Sequence, residues 1–596
     1  MKIETALIGS KQGISLRPDG AHHQKFLTWG LIACSIIFAV IVAFFLRGGM
    51  HGQYMDDYTD KASAHDFVTG RWKLTFGSQW KIRPAGQTLI NNIGNELPEH
   101  ELPVRLGILL IHLLNVFLLA KLASRLSGSA LAGILTGAFF LLPVFANEAF
   151  LWFTAAVYNT ISLCLLLVGF HCLLNIRSLK SKKDVLWFVL GVSAWLAMVT
   201  VYESGLFTFL LLPFFLAVDS KEKPHAHSIW LTALPVTYIP IGIYGYLVER
   251  VSPAVTQRGG ATLDLHFIVL HRVPSVLRNA WWLVTDWGIY GPLHEAFRLG
   301  WHEWLSVRNG SLLLSLEAGA CLLPIVLLLP SGPIKQARSL AYLVVIGIAW
   351  AGLGLAPLML VKAQIVEIRT LYIPFAGVAL STAALLNALV DVLPRWRPVT
   401  TRMCLLTAGI VIFVFSITMA GLVRTYQLRS DLDQREVAAV QPIISGVPPA
   451  QLLWLMPVTL DERTVSTYWG REAALDRYLV GVFETPWSAT DAIRLRFGER
   501  DVHAVTSNRW DRLHLTSVQR SEGGQVRTLM IQDVTVPVDN LVAFTYQQGQ
   551  LVLLTPLEIA YSNGASSTIV DLPLANQIGR TQLKRQPVRL ELEHKD

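Results

Sequence analysis

The chain has 596 residues, of which 52% are hydrophobic and only 15% are charged. Soluble proteins carry about 25% charged residues, so this composition excludes a wholly soluble protein and predicts a mainly α membrane protein in contact with membrane lipid. The net charge of +8 is divided among separate short loops, which argues against nucleic acid as a partner. The five cysteines all lie within apolar runs, so no disulfide framework is expected.

The chain begins with a basic tail, residues 1–25, followed by an apolar run over residues 26–46. A helix needs about 20 apolar residues to cross a bilayer, so this run predicts the first membrane span. The run is longer than the apolar region of a cleaved signal peptide, and no small-residue cleavage site follows it. We therefore expect it to remain as an anchor.

Ten further apolar runs follow, and most of them are long enough to span the membrane. They lie at residues 104–123, 128–146, 149–175, 185–201, 204–218, 228–248, 311–330, 339–361, 369–391 and 402–423. The run at 204–218 has the weakest pattern because Pro213 interrupts it. The sequence thus predicts about eleven transmembrane helices.

The loops between these runs differ in their content of Lys and Arg, which predicts the orientation of the chain. These residues gather on the side of the N-terminus, and the short loops on the other side hold almost none except Lys362 and Arg369. We therefore expect a cytoplasmic N-terminus in the inner membrane. A first loop at about 47–103, a large loop at about 249–310 and the C-terminal residues 425–596 then lie outside.

Residues 425–596 are predicted to form a small extracytoplasmic α+β domain. Residues 425–441 favour a helix that continues the last span, and residues 469–483 have helical periodicity. Alternation of polar and apolar side chains predicts strands at 527–534, 541–546 and 549–555. This segment contains no catalytic motif, which favours an accessory role.

Ionisable residues close to the bilayer gather on the expected outer side. The first outer loop contains Asp56 and Asp57 directly after the first span, and Arg83 further along. The other outer loops contribute Glu148, Glu203, Lys362 and Arg369. Because burying ionisable groups near a bilayer is costly unless they are paired or used, this distribution points to an outer functional site.

A carboxylate and a cation at one site have a simple chemical use. The carboxylate accepts the proton of an attacking hydroxyl group, and the cation stabilises a phosphate leaving group. Asp56 or Asp57 facing a later cation therefore predicts displacement of a lipid phosphate from a sugar. The two carboxylates alternatively suit a divalent cation, since their oxygens are hard ligands. No other cofactor or metal is expected, because the histidines at 266, 271, 294 and 302 match no zinc spacing.

The charged candidates also have purely structural interpretations. Asp56 and Asp57 suit a solvated turn or a helix cap. Arg369 suits an interfacial anchor or an ion pair with Glu367. Glu203 suits a packing or capping role at the outer mouth between two spans.

His112 and Asn115 are polar residues within the second span. They are three residues apart, so they share one face of a helix. Such pairs are typical of hydrogen bonds between membrane helices rather than of ligand binding.

Several short motifs occur in order along the chain. They are Met55-Asp56-Asp57-Tyr58, Ile82-Arg83-Pro84, Arg105-x-Gly107, His112-x2-Asn115, Asn147-Glu148, Tyr202-Glu203 and Arg369-Thr370-Leu371-Tyr372-Ile373-Pro374. Their order and their placement in the predicted topology resemble the GT-C superfamily of polytopic membrane glycosyltransferases, which includes the protein O-mannosyltransferases and the lipid A aminoarabinose transferase. The resemblance covers about residues 26–424. The chain departs from the family at Thr370, where Tyr is usual, and at Tyr202, where Lys is usual.

The resemblance implies transfer of a sugar from a polyprenyl-phosphate donor to a protein, lipid A or glycan acceptor at the outer face of the cytoplasmic membrane. It implies inverting displacement with Asp56 or Asp57 as the base. The residues expected to bind the donor phosphate are Arg369, Lys362 and Arg83. The residues expected to support the site are Glu203, Glu148, His112 and Tyr372.

Two other functions compete with this interpretation. A polymerase or ligase of lipid-linked polysaccharide uses similar outer Arg and acidic groups on a different multi-span fold. A transporter or flippase places ionisable residues near the bilayer midplane and often contains inverted repeats. The predicted spans here carry almost no midplane charge and show no repeat, which disfavours transport.

Overall fold

The protein is described from a computed structural model. The structure describes residues 83–95, 101–176, 180–219, 226–251, 265–285, 292–306, 340–360, 368–448, 451–458, 482–484, 486–498, 501–505, 515–531, 534–547, 550–561, 567–578 and 583–592. The apolar runs at 26–46 and 311–330, and the acidic pair Asp56 and Asp57, lie outside these residues.

The membrane part is helical throughout its described residues. Its main helices are α1 (Pro84–Asn95), α2 (Glu101–Ser127), α3 (Ala130–Phe140), α4 (Phe153–Leu174), α5 (Lys182–Val201), α6 (Leu212–Asp219), α7 (Ala226–Val251), α8 (Val273–Val284), α9 (Pro292–Ser306), α10 (Leu340–Leu360), α11 (Tyr372–Val392) and α12 (Arg397–Ala439). Shorter helical turns lie at Val144–Ala146, Glu148–Leu151, Glu203–Leu211, Leu265–Phe267, Ile268–Arg272, Ile368–Leu371 and Pro394–Trp396.

Within the described ranges, six helices are long and apolar enough to cross a membrane. They are Pro103–Ser127, Phe153–Leu174, Lys182–Val201, Leu340–Met359, Ile368–Val392 and Arg397–Ser445. The prediction of a mainly helical, multi-pass membrane protein is confirmed, whereas the count of eleven spans is not.

Two predicted spans form shorter helices. The run at 128–146 contains α3, which has 11 residues, followed by an irregular segment. The run at 204–218 divides into the 3₁₀ helix Glu203–Leu211 and the eight-residue α6. Pro213 has no N–H to donate, so an α-helical hydrogen-bond ladder cannot continue through it, and α6 begins one residue before it.

Glycines allow the backbones of α10 and α11, and those of α9 and α12, to come into direct contact. A Cβ added at Gly347 of α10 would lie 2.6 Å from the carbonyl oxygen of Gly377 on α11. On α9 and α12, a Cβ at Gly300 or at Gly421 would collide with a carbonyl of the facing helix. Small residues of this kind are the usual means by which membrane helices pack closely. An alanine at any of these positions would therefore push the two helices apart.

The C-terminal part is built on a mixed sheet. The strands are β1 (Leu453–Pro457), β2 (Val502–Ala504), β3 (Leu515–Arg520), β4 (Val526–Ile531), β5 (Val534–Pro537), β6 (Leu541–Gln547), β7 (Gln550–Tyr561), β8 (Ser567–Val570) and β9 (Lys584–Leu592). They pair in the order β2-β1-β6-β7-β9-β3-β4-β5, with β8 on β7. The helices of this part are Gln441–Ser445, α13 (Pro486–Phe497) and α14 (Pro573–Ile578), with a 3₁₀ turn at Val482–Glu484 and another at Val538–Asn540.

This architecture agrees with the predicted α and β segments. The predicted helix at 425–441 is the end of α12, and the three predicted strands correspond to β4, β6 and the first half of β7. The predicted helix at 469–483 lies almost wholly outside the described residues. The apolar core of the sheet includes Leu455, Leu541 and Leu553, each fully buried.

Helix α12 joins the two parts without interruption. Near its end, Asp433 is fully buried and accepts hydrogen bonds from Arg429 of the same helix and from the backbone N–H of Val482. The side chain of Val437 packs against Val482 and Ala492 of the C-terminal part. The last turns of α12 therefore belong to the core of the sheet domain.

Candidate functional site

The candidate site lies at the end of the helical bundle where α4 begins and α5 ends. These two helices pack against each other and are joined by a short loop, so the start of one lies beside the end of the other. Helix α1 packs against both of them. The 3₁₀ turn Ile368–Leu371, which precedes α11, contacts the turn Glu148–Leu151 directly before α4.

Arg83 precedes α1 and forms a bidentate ion pair with Glu203. Its Nε donates to Glu203 Oε2 at 2.7 Å, and its Nη2 donates to Oε1 at 2.5 Å. The side chains are 18% and 35% exposed, so the pair lies at the edge of the bundle and not in its core. Side-on pairing of this kind fixes the plane of the guanidinium group as well as its position.

Two tyrosine rings flank the guanidinium group of Arg83. Its central carbon lies 4.5 Å from the ring centroid of Tyr202 and 5.4 Å from that of Tyr158, and the two rings stack with centroids 5.6 Å apart. Burial alone would lower the pKa of Arg83, but the charge of Glu203 and the hydrogen bonds to it outweigh burial and raise the pKa above its ordinary value. The group is therefore a permanent cation held by a carboxylate and aromatic faces.

Helix α1 is docked tightly enough to hold Arg83 in this place. A Cβ at Gly86 would collide with the carbonyl oxygen of Val201 and with the ring of Tyr158, so this position accepts only glycine. The Tyr158 hydroxyl donates to Gln87 Oε1 at 3.1 Å, and Gln87 Nε2 donates to Asn91 Oδ1 at 2.9 Å. The start of α1, and Arg83 with it, is thus tied to α4 and α5.

Arg369 is held by a second set of the same chemical groups. The central carbon of its guanidinium lies 4.4 Å from the ring centroid of Trp152, a distance typical of a cation–π contact. The backbone N–H of Arg369 donates to Glu148 Oε2 at 3.3 Å. Trp152, at the start of α4, is only 2% exposed, so its ring is a fixed surface for the cation.

His112 and Asn115 connect three helices beneath this turn. His112 Nδ1 lies 2.6 Å from the hydroxyl of Tyr372, and its Nε2 lies 2.9 Å from the carbonyl oxygen of Leu141. A carbonyl oxygen only accepts, so Nε2 is the donor, and Nδ1 of the neutral ring accepts from the hydroxyl. Asn115 Nδ2 donates to the carbonyl oxygen of Thr160 at 2.8 Å.

These contacts give His112 and Asn115 the role of interhelical hydrogen-bond groups. Both residues and Tyr372 are almost fully buried. Because Tyr372 begins α11 directly after the Ile368–Leu371 turn, its hydrogen bond fixes the turn that carries Arg369. Tyr372 and His112 therefore help to fix the position of the turn that carries Arg369.

Both arginine sets use the first turns of α4. Trp152 and Tyr158 are six residues apart, which corresponds to about 9 Å along a helix axis. Arg369 contacts the first of these rings and Arg83 the second. Each guanidinium group therefore contacts a ring at the start of the same helix, Arg369 at its N-cap and Arg83 in its second turn.

The structure brings some of the sequence-predicted residues together and leaves others outside its description. Arg83 pairs with Glu203, Arg369 with Glu148, and His112 with Tyr372. The predicted base, Asp56 or Asp57, the predicted phosphate ligand Lys362, and Glu367 as an ion-pair partner of Arg369 all lie outside the described residues. In the described part of the chain, no group of three His, Cys, Asp or Glu side chains is placed to hold a metal ion.

Sequence reasoning missed the aromatic residues that hold the two cations. Tyr158, Tyr202 and Trp152 each contact a guanidinium group. An aromatic residue directly beside Glu203, and another four residues after Glu148, were the available signals. Neither spacing predicts a contact with an arginine unless the start of α4 and the end of α5 are known to lie together.

Another side-on arginine–carboxylate pair lies at the opposite end of the bundle. Arg125, at the end of α2, donates from Nε and Nη2 to the two carboxylate oxygens of Asp219 at 3.1 and 2.9 Å. Its Nη1 donates to Asn175 Oδ1 at 2.8 Å, and Nη2 also donates to the carbonyl oxygen of Leu174 at 2.5 Å. This guanidinium group ties together the ends of α2, α4 and α6.

Comparison with known proteins finds similarity among solved structures. No protein-family model matches the sequence, and no curated protein matches it. Solved structures of ArnT from Cupriavidus metallidurans, in the apo state and bound to undecaprenyl phosphate, are similar to this chain with 15% sequence identity and a TM-score of 0.31. The similarity covers 80% of this chain and 89% and 90% of the two ArnT chains. A TM-score this low carries no information about substrate, so the function proposed below rests on the chain's own residues.

Proposed function

We propose that the chain is a membrane glycosyltransferase that transfers a sugar from a polyprenyl-phosphate donor to an acceptor at the outer face of the cytoplasmic membrane. The observation that supports this most is the pair of guanidinium groups, Arg83 and Arg369, each of which contacts a ring at the start of α4. The Arg83 guanidinium is held by the Glu203 carboxylate and by tyrosine rings. The Arg369 guanidinium lies against the Trp152 ring, and the backbone N–H of Arg369 donates to Glu148, at the same end of a bundle of membrane helices. Fixed cations at the edge of an apolar bundle suit a ligand with an apolar chain and an anionic head.

The reaction of such a donor is a displacement at the anomeric carbon. A nucleophilic oxygen or nitrogen of the acceptor attacks this carbon and gives its proton to Asp56 or Asp57, while the bond from the carbon to the phosphate oxygen breaks. The configuration at the carbon is inverted, and the lipid phosphate leaves with one additional negative charge. Arg83 and Arg369, with Lys362, stabilise that charge as it grows.

The same geometry suits the apolar chain of the donor. Helices α4 and α11 carry long apolar stretches that continue from the arginine turns into the membrane part. A polyprenyl chain between membrane helices would keep its phosphate at the bundle end, next to the guanidinium groups. This arrangement requires no soluble, diffusing donor.

Binding of the carrier lipid is the direct test. Purified full-length protein in detergent should bind decaprenyl phosphate and discriminate strongly against decaprenol, which has the same chain without the phosphate. Arg369→Lys should weaken this binding about tenfold or more, because a lysine keeps the charge but loses the planar, bidentate contacts and the stacking on Trp152. Calorimetric titration measures both effects.

The control is a cation at the far end of the bundle. Lys182 begins α5 on the side away from the site, so Lys182→Ala should leave the affinity for decaprenyl phosphate unchanged. Equal affinity of the unmodified protein for decaprenyl phosphate and decaprenol would contradict the proposed function. Unchanged affinity in Arg369→Lys would instead assign Arg369 to the role of an interfacial anchor.

The proposed outer location is tested separately. In a cysteine-free background, single cysteines at Ser63 and Ser507 should react with a membrane-impermeant maleimide in intact cells, and a cysteine at Ser181 should not. A protected Ser507 position beside a reactive Ser63 position would mean an even number of spans, and would exclude contact between the C-terminal domain and an outer acceptor. A reactive Ser181 position beside a protected Ser63 position would invert the whole orientation.

A further inference from the structure

The ion pair between Arg83 and Glu203 leaves one edge of the guanidinium group open. A guanidinium group has five N–H donors in one plane. Glu203 takes the edge formed by Nε and Nη2. Among the described residues, the Nη1 group of Arg83 has no hydrogen-bond partner, and the adjoining edge formed by Nη1 and Nη2 is a second, parallel pair of donors.

The orientation of that open edge is fixed from three directions. Glu203 holds the side-on edge, and the ring of Tyr202 lies against the guanidinium group at 4.5 Å. Tyr158 lies further along at 5.4 Å and is tied to α1 through Gln87. A planar cation held in this way cannot turn freely, so its remaining donors keep one direction.

We propose that Glu203 is a positioning residue, which together with Tyr202 presents the Nη1–Nη2 edge of Arg83 to two terminal oxygens of a lipid phosphate. This inference rests on the proposed function and names the group that Arg83 binds at that site. A phosphodiester donor has two such oxygens, and the phosphomonoester that leaves has three. Both match the spacing of the two donors on the end of a guanidinium group.

The positioning role predicts that removing Glu203 weakens phosphate binding, which is opposite to the usual effect of removing a carboxylate near an anion site. Removing a carboxylate near an anion site ordinarily improves anion binding, because a like charge is lost. A positioning role predicts the opposite, since Arg83 without Glu203 loses the orientation that makes bidentate binding favourable. The sign of the effect therefore separates a positioning carboxylate from a competing one.

A double-mutant cycle on the affinity for decaprenyl phosphate tests the proposal. Arg83→Ala and Glu203→Ala, measured in the full-length protein, should each weaken binding about tenfold or more, as expected for loss of charge-assisted hydrogen bonds. The variant with both changes should bind no more weakly than Arg83→Ala alone, because in the proposed role Glu203 affects phosphate binding through Arg83. Glu203→Gln keeps one acceptor oxygen and should lie between the unmodified protein and Glu203→Ala.

Asp219→Ala is the matched control. It removes the carboxylate from the other side-on arginine pair, at the far end of the bundle. It should lower the thermal unfolding temperature without changing the affinity for decaprenyl phosphate. A loss of affinity in Glu203→Ala alone would then not be a general effect of breaking an ion pair.

The outcomes separate the two proposals. Tighter binding in Glu203→Ala, or additive losses in the double variant, would overturn the positioning role and leave the glycosyltransferase proposal standing. Failure of the unmodified protein to distinguish decaprenyl phosphate from decaprenol would overturn both. If Glu203→Ala does not fold, Glu203→Gln gives the same comparison with a smaller expected change.

Discussion

The two ends of the helical bundle each contain a side-on pair between an arginine and a carboxylate, and they use it differently. Arg125 employs all three of its nitrogens within the protein, on Asp219, Asn175 and the carbonyl of Leu174. Among the residues that the structure describes, Arg83 employs only Nε and Nη2, both on Glu203. The partners of Arg125 are polar groups at helix ends, whereas those of Arg83 include two aromatic faces.

The comparison teaches that the residue types of an ion pair do not reveal its role. Arg125 donates to carbonyl and amide groups at helix ends, where backbone groups lack intrahelical partners. Its hydrogen bonds therefore stabilise the fold. Arg83 is held by Glu203 and two aromatic rings, and among the described residues its Nη1 group has no hydrogen-bond partner. An unused donor of this kind is what the proposed phosphate-binding role requires.

The largest expected effect is chemical and concerns the predicted base. If Asp56 or Asp57 is the base, replacing that residue by Asn should reduce the rate of release of decaprenyl phosphate from decaprenyl-phosphate sugars by about 10²–10⁴. The measurement uses membranes that supply the acceptor and a panel of donor sugars. The affinity for decaprenyl phosphate should change far less, because a base acts on the acceptor.

The same assay gives the control for this prediction. Asp184→Asn, near the start of α5 on the opposite side, removes a carboxylate without approaching the proposed site. Normal rates in Asp56→Asn, in Asp57→Asn and in the variant with both changes would exclude the acidic pair as the base. A rate restored by added divalent cation would favour the metal-binding alternative for these two residues.

The smaller effect concerns stability and belongs to the Arg125 end. Arg125→Ala removes the hydrogen bonds that Arg125 donates to a carboxylate that is 13% exposed and to the carbonyl at the end of α4, so it should cost about 1–3 kcal/mol. Arg83→Ala leaves Glu203, which is 35% exposed and more easily hydrated, and should cost less. Thermal unfolding of the two variants in the same detergent compares them.

Equal destabilisation by Arg83→Ala and Arg125→Ala would break the distinction between the two ends. Loss of affinity for decaprenyl phosphate in Arg125→Ala, measured on folded protein, would also contradict the distinction, because Arg125 would then affect ligand binding. The expected pattern is a reversal, in which one variant loses stability and the other loses binding.

Much of the helical architecture could be predicted, because an apolar run is a local property of the sequence. The run at 204–218 shows the limit, since a proline divides it and the resulting 3₁₀ and α segments are too short to span alone. Whether an apolar helix continues far enough to cross a membrane depends on its neighbours. The predicted count of spans was therefore less secure than the prediction of a membrane protein.

The candidate site was less predictable for a related reason. Arg83 and Glu203 could each be selected as charged residues at the membrane boundary, but they are 120 residues apart and their pairing depends on how α1 docks on α5. Tyr202 stands where the resembled family has a lysine. The structure places the cation Arg83 over that tyrosine ring, so a cation from a different segment occupies the same neighbourhood.

The uninterrupted course of α12 has a mechanical consequence. The helix runs from Arg397 to Ala439, and its apolar stretch ends at Arg424. Residues 424–439 extend about 24 Å beyond that stretch. Near the far end, Asp433 and Val437 contact the sheet domain through a hydrogen bond and apolar packing. The length of this segment thus sets the distance between the apolar stretch and the sheet domain. If the sheet domain lies above the bilayer as proposed, an acceptor between the two would meet a gap of fixed size, and inserting or deleting one helical turn would change which acceptors fit.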